Sequence, residues 1–137
     1  VFVVFIDLHI LNNDGNLLDA SALAAIAALQ TGWLPEYDEE ADELDHDVEY
    51  SDIPMTKEPV MVTGRKIDDQ LLWDATRDEE EAQAARLSVT ATEKDKIVSM
   101  QKGGREEMTH DEIREIMDQA EYQTAKIREE LREKTGA

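Results

Sequence analysis

The sequence predicts an α+β fold in which β-strands pack against an alanine-rich helix and a long C-terminal helix. Residues 1–11 form a nearly continuous apolar run interrupted only by Asp7 and His9, which is typical of a strand covered on both faces. Residues 85–92 alternate between apolar and polar side chains, as a half-buried strand does. Residues 113–131 repeat apolar side chains at helical spacing. A chain of 137 residues suffices for one domain with one core.

A tight turn and a helix follow the first apolar run. Residues 12–16, NNDGN, favour a turn because Asn, Asp and Gly tolerate positive φ. Asp19 is the predicted N-cap of a helix over residues 20–30, which contains six alanines. Gly32 stands where a helix-terminating glycine belongs. From composition alone, this stretch is a generic α/β core unit.

Residues 36–52 are predicted to form a solvated, mobile loop, which we describe as an acidic disordered loop. They carry ten carboxylates and one histidine, His46, and a block of like charge this dense rarely packs. A divalent-cation site is the functional alternative. The segment lacks the glycine turn and the ordered ligand spacing of a calcium loop, and no second histidine lies near His46.

Residues 59–67 and 70–73 are predicted to pair as a hairpin around a turn at residues 68–69. Residues 74–81, DATRDEEE, are expected to form an acidic connector.

Residues 85–92 are expected to pair with a return strand over residues 97–101. A charged turn at residues 93–96 joins the two, and residues 102–105, KGGR, are predicted to be a flexible bend.

The C-terminal helix has the clearest local signals in the sequence. Thr109 and Glu112 form a capping box, and Met108 is placed to pack against Ile113 as a hydrophobic staple. Gly136 is placed to end the helix. The predicted stripe packs against the sheet, with a partner-binding face as the alternative; its members are Ile113, Met117, Ala120, Thr124, Ile127 and Leu131.

The chain carries 33 acidic and 14 basic residues, a net charge of −19. Residues 1–56 contain 13 acids and no lysine or arginine. This surface repels nucleic acid at long range, and we interpret it as adaptation to a salty cytoplasm. The longest apolar run is too short to span a membrane, no basic residue precedes Lys57 as in a signal peptide, and there is no cysteine. We therefore expect a cytoplasmic protein with no membrane partner.

Several stretches in order resemble the RNase PH family of phosphorolytic 3′-exoribonucleases. They are FIDLHILNNDGNLLDASALAAIAAL, LPEY followed by IPMTKEPVMV, KIDDQLLWDATRDEEEAQAARLSVT, and KIVSMQKGGREEMTHDEI. Within the family, they are most similar to the non-catalytic RNase PH-like subunits of archaeal exosomes. The resemblance covers nearly the whole chain except the acidic loop.

The resemblance implies an RNase PH-like fold and a domain organisation. Residues 1–35 would end the family's first subdomain, residues 36–52 would be the acidic loop, and residues 53–137 would form the C-terminal subdomain. Roughly the first half of the family's length has no counterpart, so the chain is expected to be a fragment of a longer protein. Because residues 1–11 would lack sheet neighbours, the isolated chain is expected to self-associate, exchange elements or be disordered near its N-terminus.

The resemblance also implies where chemistry would occur in active members. Their phosphate cradle is Gly-Thr-Arg or Gly-Ser-Arg after an Asp-Gly turn, and residues 16–18, Asn-Leu-Leu, match it here, so Leu18 replaces the anion-binding arginine. Their two aspartates match Glu80 and Arg86. A cation at the second position neither binds Mg²⁺ nor acts as a general acid. The pair Asp74 and Asp78 is an alternative carboxylate pair.

We therefore expect a non-catalytic ring subunit that supports 3′-to-5′ phosphorolytic RNA degradation by a catalytic RNase PH-like exosome partner. No catalytic, cofactor or metal residue is assigned. The expected partners are that catalytic subunit, in a six-membered hetero-oligomeric ring, and single-stranded RNA threaded through it. Arg65, Lys102 and Arg105 are the available RNA-contacting cations, or else solvated loop charges. The alternatives are an active phosphorolytic 3′-exoribonuclease and an unrelated acidic protein-interaction domain.

Overall fold

The computed structural model describes residues 3–38, 40–45, 51–93 and 96–136. Three helices are present in this part of the chain: α1 (Leu17–Thr31), α2 (Arg77–Ala82) and α3 (His110–Thr135). The strands are β1 (Trp33–Leu34), β2 (Glu36–Asp38), β3 (Glu43–Asp45), β4 (Ser51–Asp52), β5 (Val60–Ile67), β6 (Gln70–Trp73), β7 (Ala85–Thr92) and β8 (Lys96–Gly104). The α+β prediction is confirmed. No helix within these ranges is both long and apolar enough to cross a membrane.

The main sheet has four antiparallel strands in the order β6-β5-β7-β8. Both predicted hairpins are therefore confirmed, and β7 has the predicted bounds. Helix α3 packs across one face of the sheet because β5 and β7 present small and branched side chains there. Gly64 allows the close approach, since a Cβ at this position would lie 2.7 Å from Cγ1 of Ile116. The buried core cluster consists of Val62, Leu87, Val89, Ile116 and Ala120.

The prediction of a buried strand over residues 1–11 is wrong for residues 3–11. This segment has no strand pairing, and its apolar side chains are exposed, with Phe5 84% and Leu11 97% accessible. A strand needs a neighbour for its backbone hydrogen bonds. Within the described ranges, no sheet offers residues 3–11 such a neighbour.

The acidic segment is exposed where it is described, as predicted, but it contains strands of two short antiparallel ribbons, which were not predicted. Strand β1 pairs with β4, and β2 pairs with β3. The carboxylates whose exposure is described in this segment lie at the surface, where solvent screens their repulsion. His46 lies outside the described residues.

Helix α1 begins three residues earlier than predicted. Its N-cap is Asn16 in the left-handed conformation, with φ 50°, and Asp19 lies in the first turn. The N-cap prediction for Asp19 is therefore wrong, because the Asp19 side chain is bound to β5. Gly32 is at the C-terminal boundary, as predicted, but its backbone is extended.

The second face of β7 is more covered than the alternation predicted, since Ser88 and Thr92 are buried. The prediction of a flexible bend at residues 102–105 is also wrong for the first three of these residues, which continue β8. Gly103 pairs with Arg86, and Gly104, at φ +88°, packs where a Cβ would lie 2.6 Å from the Ala84 carbonyl oxygen. Pairing with β7 thus extends the strand through both glycines. The acidic connector contains α2, a helix that was not predicted there.

The predicted capping box of α3 is confirmed. The Glu112 N–H donates to Thr109 Oγ1 at 3.2 Å, and the Thr109 N–H donates to Glu112 Oε2 at 2.6 Å. Gly136 adopts the left-handed conformation and closes the helix. The predicted stripe packs against the sheet, as expected, and the buried face is wider than predicted, since it also includes Ile116 and the cation Arg128. Arg128 is satisfied there because it donates to two carbonyl oxygens, those of Glu58 and Ala91.

Candidate functional site

Segments far apart in the sequence converge on the N-terminus of α1. The turn before α1 packs on the residues before α2, since a Cβ on Gly15 would lie 2.3 Å from the Ala75 carbonyl oxygen. Gly15 has φ +96°, a conformation that glycine adopts without steric cost. The turn, α2 and the middle of β5 therefore share one small region, which we call the polar junction: Asn16, Arg65, Asp74 and Glu80.

Asn16 is the centre of the polar junction. Its N–H donates to Glu80 Oε1 at 3.1 Å, and its side-chain amide donates to Asp74 Oδ1 at 3.0 Å. Its amide oxygen accepts from an Arg65 guanidinium nitrogen at 3.2 Å. The amide therefore links the strand to the connector, and it makes no capping bond to α1.

Arg65 is only 1% exposed and forms an ion pair with Glu80. Its position on β5 places the guanidinium beside α2, whose first turn carries the acidic side chains. A buried cation requires a partner, and Glu80 supplies it. The ion pair engages the Glu80 carboxylate, which is only partly exposed.

Arg86 lies directly opposite Arg65 on the neighbouring strand β7. Its side chain crosses β8 above Gly103, where a Cβ would come within 2.7 Å of Arg86 Nε. Because Gly103 has no side chain, the Arg86 guanidinium has room to lie over β8. Glu80 forms its ion pair with Arg65, and within the described residues no ion pair involves Arg86.

A second buried contact fixes α1 along the edge of β5. Strand β6 reaches β5 only from Gly64 onward, and Asp19 binds Thr63 beyond that point. Asp19 accepts from the Thr63 N–H at 2.8 Å and from its hydroxyl at 2.6 Å, and that hydroxyl lies 2.9 Å from Ser88 Oγ. Burial raises the pKa of Asp19, although the hydrogen bonds from Thr63 oppose this. This contact holds α1 against β5, because the Asp19 carboxylate accepts the Thr63 N–H hydrogen bond that a neighbouring strand would otherwise accept.

A cavity of about 370 Å³ lies between α1, β5 and α3. Apolar side chains such as Leu23, Val60 and Ile127 line it, and Asn16, Asp19 and Asp74 lie at its polar end. The cavity borders the polar junction, so α1 is held over it by the contacts described above.

Comparison with known proteins agrees with this architecture. Residues 57–122 match the 3′ exoribonuclease family, domain 2. Over its full length, the chain is 42% identical to the exosome complex component Rrp42 of Thermococcus onnurineus, of which it spans 51%. Over 93% of its length, it is 41% identical to the exosome complex component Rrp42 of Methanosarcina mazei, of which it spans 46%. The chain belongs to the RNase PH family.

A solved structure shows the same fold with bound nucleic acid. The chain is similar to a chain of the Archaeoglobus fulgidus exosome with RNA bound to the active site, with a TM-score of 0.76 and 36% identity over 88% of this chain and 45% of that one. The chain spans about half the length of the curated relatives it matches. The family membership overturns the interpretation as an unrelated acidic interaction domain.

The RNase PH resemblance placed the site at residues 16–18, Glu80 and Arg86, and the structure brings these positions to one side of the sheet. Leu18 lies in the first turn of α1, 38% exposed and uncharged. Of the alternative carboxylates, Asp74 binds Asn16 and Asp78 is exposed on α2. Among the described residues, no group of three or more His, Asp or Glu side chains is placed to hold a metal ion.

The predicted RNA-contacting cations separate into two kinds. Lys102 and Arg105 are exposed near the end of β8, whereas Arg65 is buried. The solvated-loop alternative is therefore wrong for Arg65. Sequence reasoning missed its pairing with Glu80, and the one available signal was its position within the apolar β5 segment, which predicts a covered side chain.

Proposed function

We propose that this chain is part of a non-catalytic subunit of an archaeal exosome, which supports 3′-to-5′ phosphorolytic RNA degradation by a catalytic RNase PH-like partner. The partner supplies the reacting groups. This chain supplies an interface and holds the geometry of the partner's site.

The pairing of Glu80 with Arg65 is the observation that carries the proposal. Phosphorolysis needs a cationic cradle for the attacking phosphate and acidic groups near the scissile bond. Leu18 offers no charge to phosphate, and Arg86 stands at one of the two acidic positions. The remaining acid is neutralised by a buried guanidinium. The phosphate cradle and one acidic group are therefore missing, and the other acidic group is neutralised, each at a different residue.

The relatives support the assembly in the proposal. Both relatives described above are exosome components named Rrp42, and the similar solved structure is an exosome with RNA bound to its active site. For this chain we propose a six-membered ring with the catalytic subunit and passage of single-stranded RNA through it. Residues 1–35 end the first subdomain in this proposal, and residues 53–137 form the second.

The charge supports a cellular setting. A net charge of −19 keeps a protein soluble in concentrated salt, where the Debye length falls to about 3 Å at 1 M and self-repulsion is screened. We infer a cytoplasmic protein from a salt-rich cell.

A phosphate-dependent RNA-shortening assay tests the proposal. Single-stranded RNA in high salt is incubated with this subunit alone, with the catalytic subunit from the same source alone, and with the mixture. The expected result is no nucleoside diphosphate from this subunit alone and a faster reaction in the mixture than with the catalytic subunit alone. Release of nucleoside diphosphate by this subunit alone would show instead an active phosphorolytic exoribonuclease. A mixture no faster than the catalytic subunit alone would refute the supporting role.

A further inference from the structure

Strand β8 is an open edge of the main sheet. It pairs with β7 on one side, and within the described residues no strand pairs with its other side. Beyond one register shift opposite Thr90 and Ala91, residues 99–104 pair with β7 without interruption. Every residue of β8 except Gly103 is exposed. The outer N–H and C=O groups of such an edge can pair with another extended chain.

The apolar face of the sheet continues onto β8, beyond the reach of α3. Met100 is the Cα partner of Val89, which belongs to the buried core cluster. Ile97 is the Cα partner of Ala91, which is also buried. Directly opposite residues share one face, so Met100 and Ile97 lie on the face that α3 covers over β5 and β7. They are nevertheless 44% and 38% accessible, so this end of the face is uncovered.

The charges of β8 stand at its ends and not among its apolar side chains. Soluble proteins commonly block association at a sheet edge with a charged side chain within the strand, above all lysine. In β8, however, the stretch between Lys96 and Lys102 is the uncharged sequence IVSMQ. Val98, 50% accessible, adds a third exposed apolar side chain there. The centre of the edge is therefore apolar and unprotected, and its two ends are cationic.

Strand β8 is basic in a strongly acidic chain. Residues 96–105 contain three cations and no acid, whereas the whole chain has a net charge of −19. In the part of the chain that the structure describes, no ion pair involves Lys96, Lys102 or Arg105. The Lys102 ammonium donates to two main-chain carbonyl oxygens and not to a carboxylate. The cations are therefore available to carboxylates of another chain.

We propose that the outer edge of β8 binds an acidic, extended segment of another protein as an added strand. Main-chain hydrogen bonds along the edge supply affinity, as in other cases of strand addition. Ile97 and Met100 pack against apolar side chains at the centre of the bound segment. Acidic side chains on both sides of that centre pair with Lys96 and Lys102. This binding does not require the catalytic inactivity proposed above.

The composition of β8 favours this occupant over two others. A second copy of β8 would bring the same cations to the edge, where like charges repel. Single-stranded RNA gains much of its binding energy from bases stacked on aromatic side chains, and residues 96–105 contain none. An acidic strand with an apolar centre matches both the charge and the exposed side chains.

Fluorescence anisotropy of a labelled peptide, titrated with the full chain, measures the proposed binding. The probe is a short peptide with valines at its centre and glutamates on both sides. It should bind saturably and protect β8 amides from hydrogen exchange. A peptide with lysines in place of the glutamates should bind about tenfold more weakly, because it repels the cations of β8. Proline in place of a central valine should also weaken binding, since it removes a main-chain donor.

Matched variants of the protein locate the binding. Met100→Lys places a charge against the apolar centre of the peptide and should weaken binding about tenfold. Phe5→Lys makes the same kind of change at another exposed apolar side chain, 84% accessible, and should leave the affinity unchanged. Lys96→Glu should weaken binding about fivefold, whereas Lys126→Glu, the same reversal on α3, should have no effect. Circular dichroism checks that all four variants are folded.

Several results would overturn the proposal. These are no saturable binding of the glutamate peptide, or equal affinity for wild type and Met100→Lys. A dimer in light scattering that Met100→Lys converts to a monomer would assign the edge to a second copy. A single-stranded oligoribonucleotide whose binding is lost in Lys96→Glu would assign it to RNA. The RNA-shortening assay contains no peptide, so failure of the proposed function there leaves the peptide result unaffected.

Discussion

The two long helices begin in different ways. Helix α3 begins with a capping box made by residues three apart in the sequence, Thr109 and Glu112. Helix α1 begins at Asn16, which is fixed by Glu80, 64 residues away, and by Arg65 and Asp74. The start of α3 is therefore specified locally, whereas the start of α1 depends on the rest of the fold. This difference explains why the first was predicted correctly and the second was not.

The most damaging change should be Glu80→Gln, which removes the carboxylate from buried Arg65. Loss of one partner of a buried ion pair costs about 3 kcal/mol of unfolding free energy. Urea denaturation followed by circular dichroism measures this. Glu81→Gln is the matched control, since Glu81 forms an exposed pair with Arg77 and should change stability by less than about 0.5 kcal/mol. Equal effects of the two variants would contradict a long-range start for α1.

The next largest loss of stability is expected from substitution of the two glycines with positive φ, one beside each long helix. Gly15→Ala adds left-handed strain and a clash with the Ala75 carbonyl, so we expect a loss of about 2 kcal/mol or more. At Gly136, with φ +75°, an added Cβ meets nothing within 4 Å, and Gly136→Ala should cost about 1 kcal/mol. Thermal unfolding of both variants measures the difference. A larger loss at Gly136 would contradict the packing of the α1 turn on α2.

A double-mutant cycle sharpens the comparison further. Asn16→Ala should be coupled to Glu80→Gln by about 1 kcal/mol, because the Asn16 amide oxygen and the Glu80 carboxylate both accept from the Arg65 guanidinium. Thr109→Ala should cost about 1 kcal/mol through loss of the cap, and it should add to Glu80→Gln within about 0.5 kcal/mol. The unfolding free energies of the single and double variants give both values. Additivity at Asn16 would argue that the polar junction is not a network.

The smallest expected effect is a difference in pH dependence between the two helix starts. The hydrogen bond from Lys66 lowers the pKa of Glu112 from its ordinary value of 4.5 to about 2, so the stability from Glu112 is lost as pH falls from about 4.5 to 2. Burial raises the pKa of Asp19, so its contribution falls as pH rises above 3.8. Glu112→Gln keeps the cap and should flatten the first dependence, and Asp19→Asn should flatten the second. The measurement is the difference in unfolding free energy between the wild type and each variant from pH 2 to 6. Differences that change with pH in the same direction for Glu112→Gln and Asp19→Asn would contradict this prediction.

Local signals were sufficient for much of the fold. The alternation of residues 85–92, the hairpin around residues 68–69 and the caps of α3 each depend on neighbouring residues, and all were found in the structure. The strand prediction for residues 3–11 was wrong because a strand needs a pairing partner, which its own sequence does not encode. Strand β8 was predicted too short because two glycines suggested a bend, and pairing with β7 outweighed their low strand propensity.

The candidate site was predicted in position but not in its contacts. The resemblance located residues 16–18, Glu80 and Arg86, whereas the ion pair between Arg65 and Glu80 could not be deduced from spacing. The two members lie 15 positions apart in the sequence with the turn between β5 and β6 in the intervening stretch, and only the folded sheet brings them together. The Nε atom of Arg86 is buried without a hydrogen-bond partner among the described residues, and this too depends on the register, which decides which residue lies opposite Arg86 on each side.

The exposed apolar segment, residues 3–11, has a practical consequence for work with this protein. Proteases cleave chains that they can bind in an extended form, and an unpaired segment with accessible Phe5 and Leu11 offers chymotrypsin such sites. Brief digestion should remove this segment before it cuts the sheet. The same side chains should bind hydrophobic chromatography resins in ammonium sulfate, so that the intact and trimmed forms elute separately and provide a direct assay of whether a partner covers the segment.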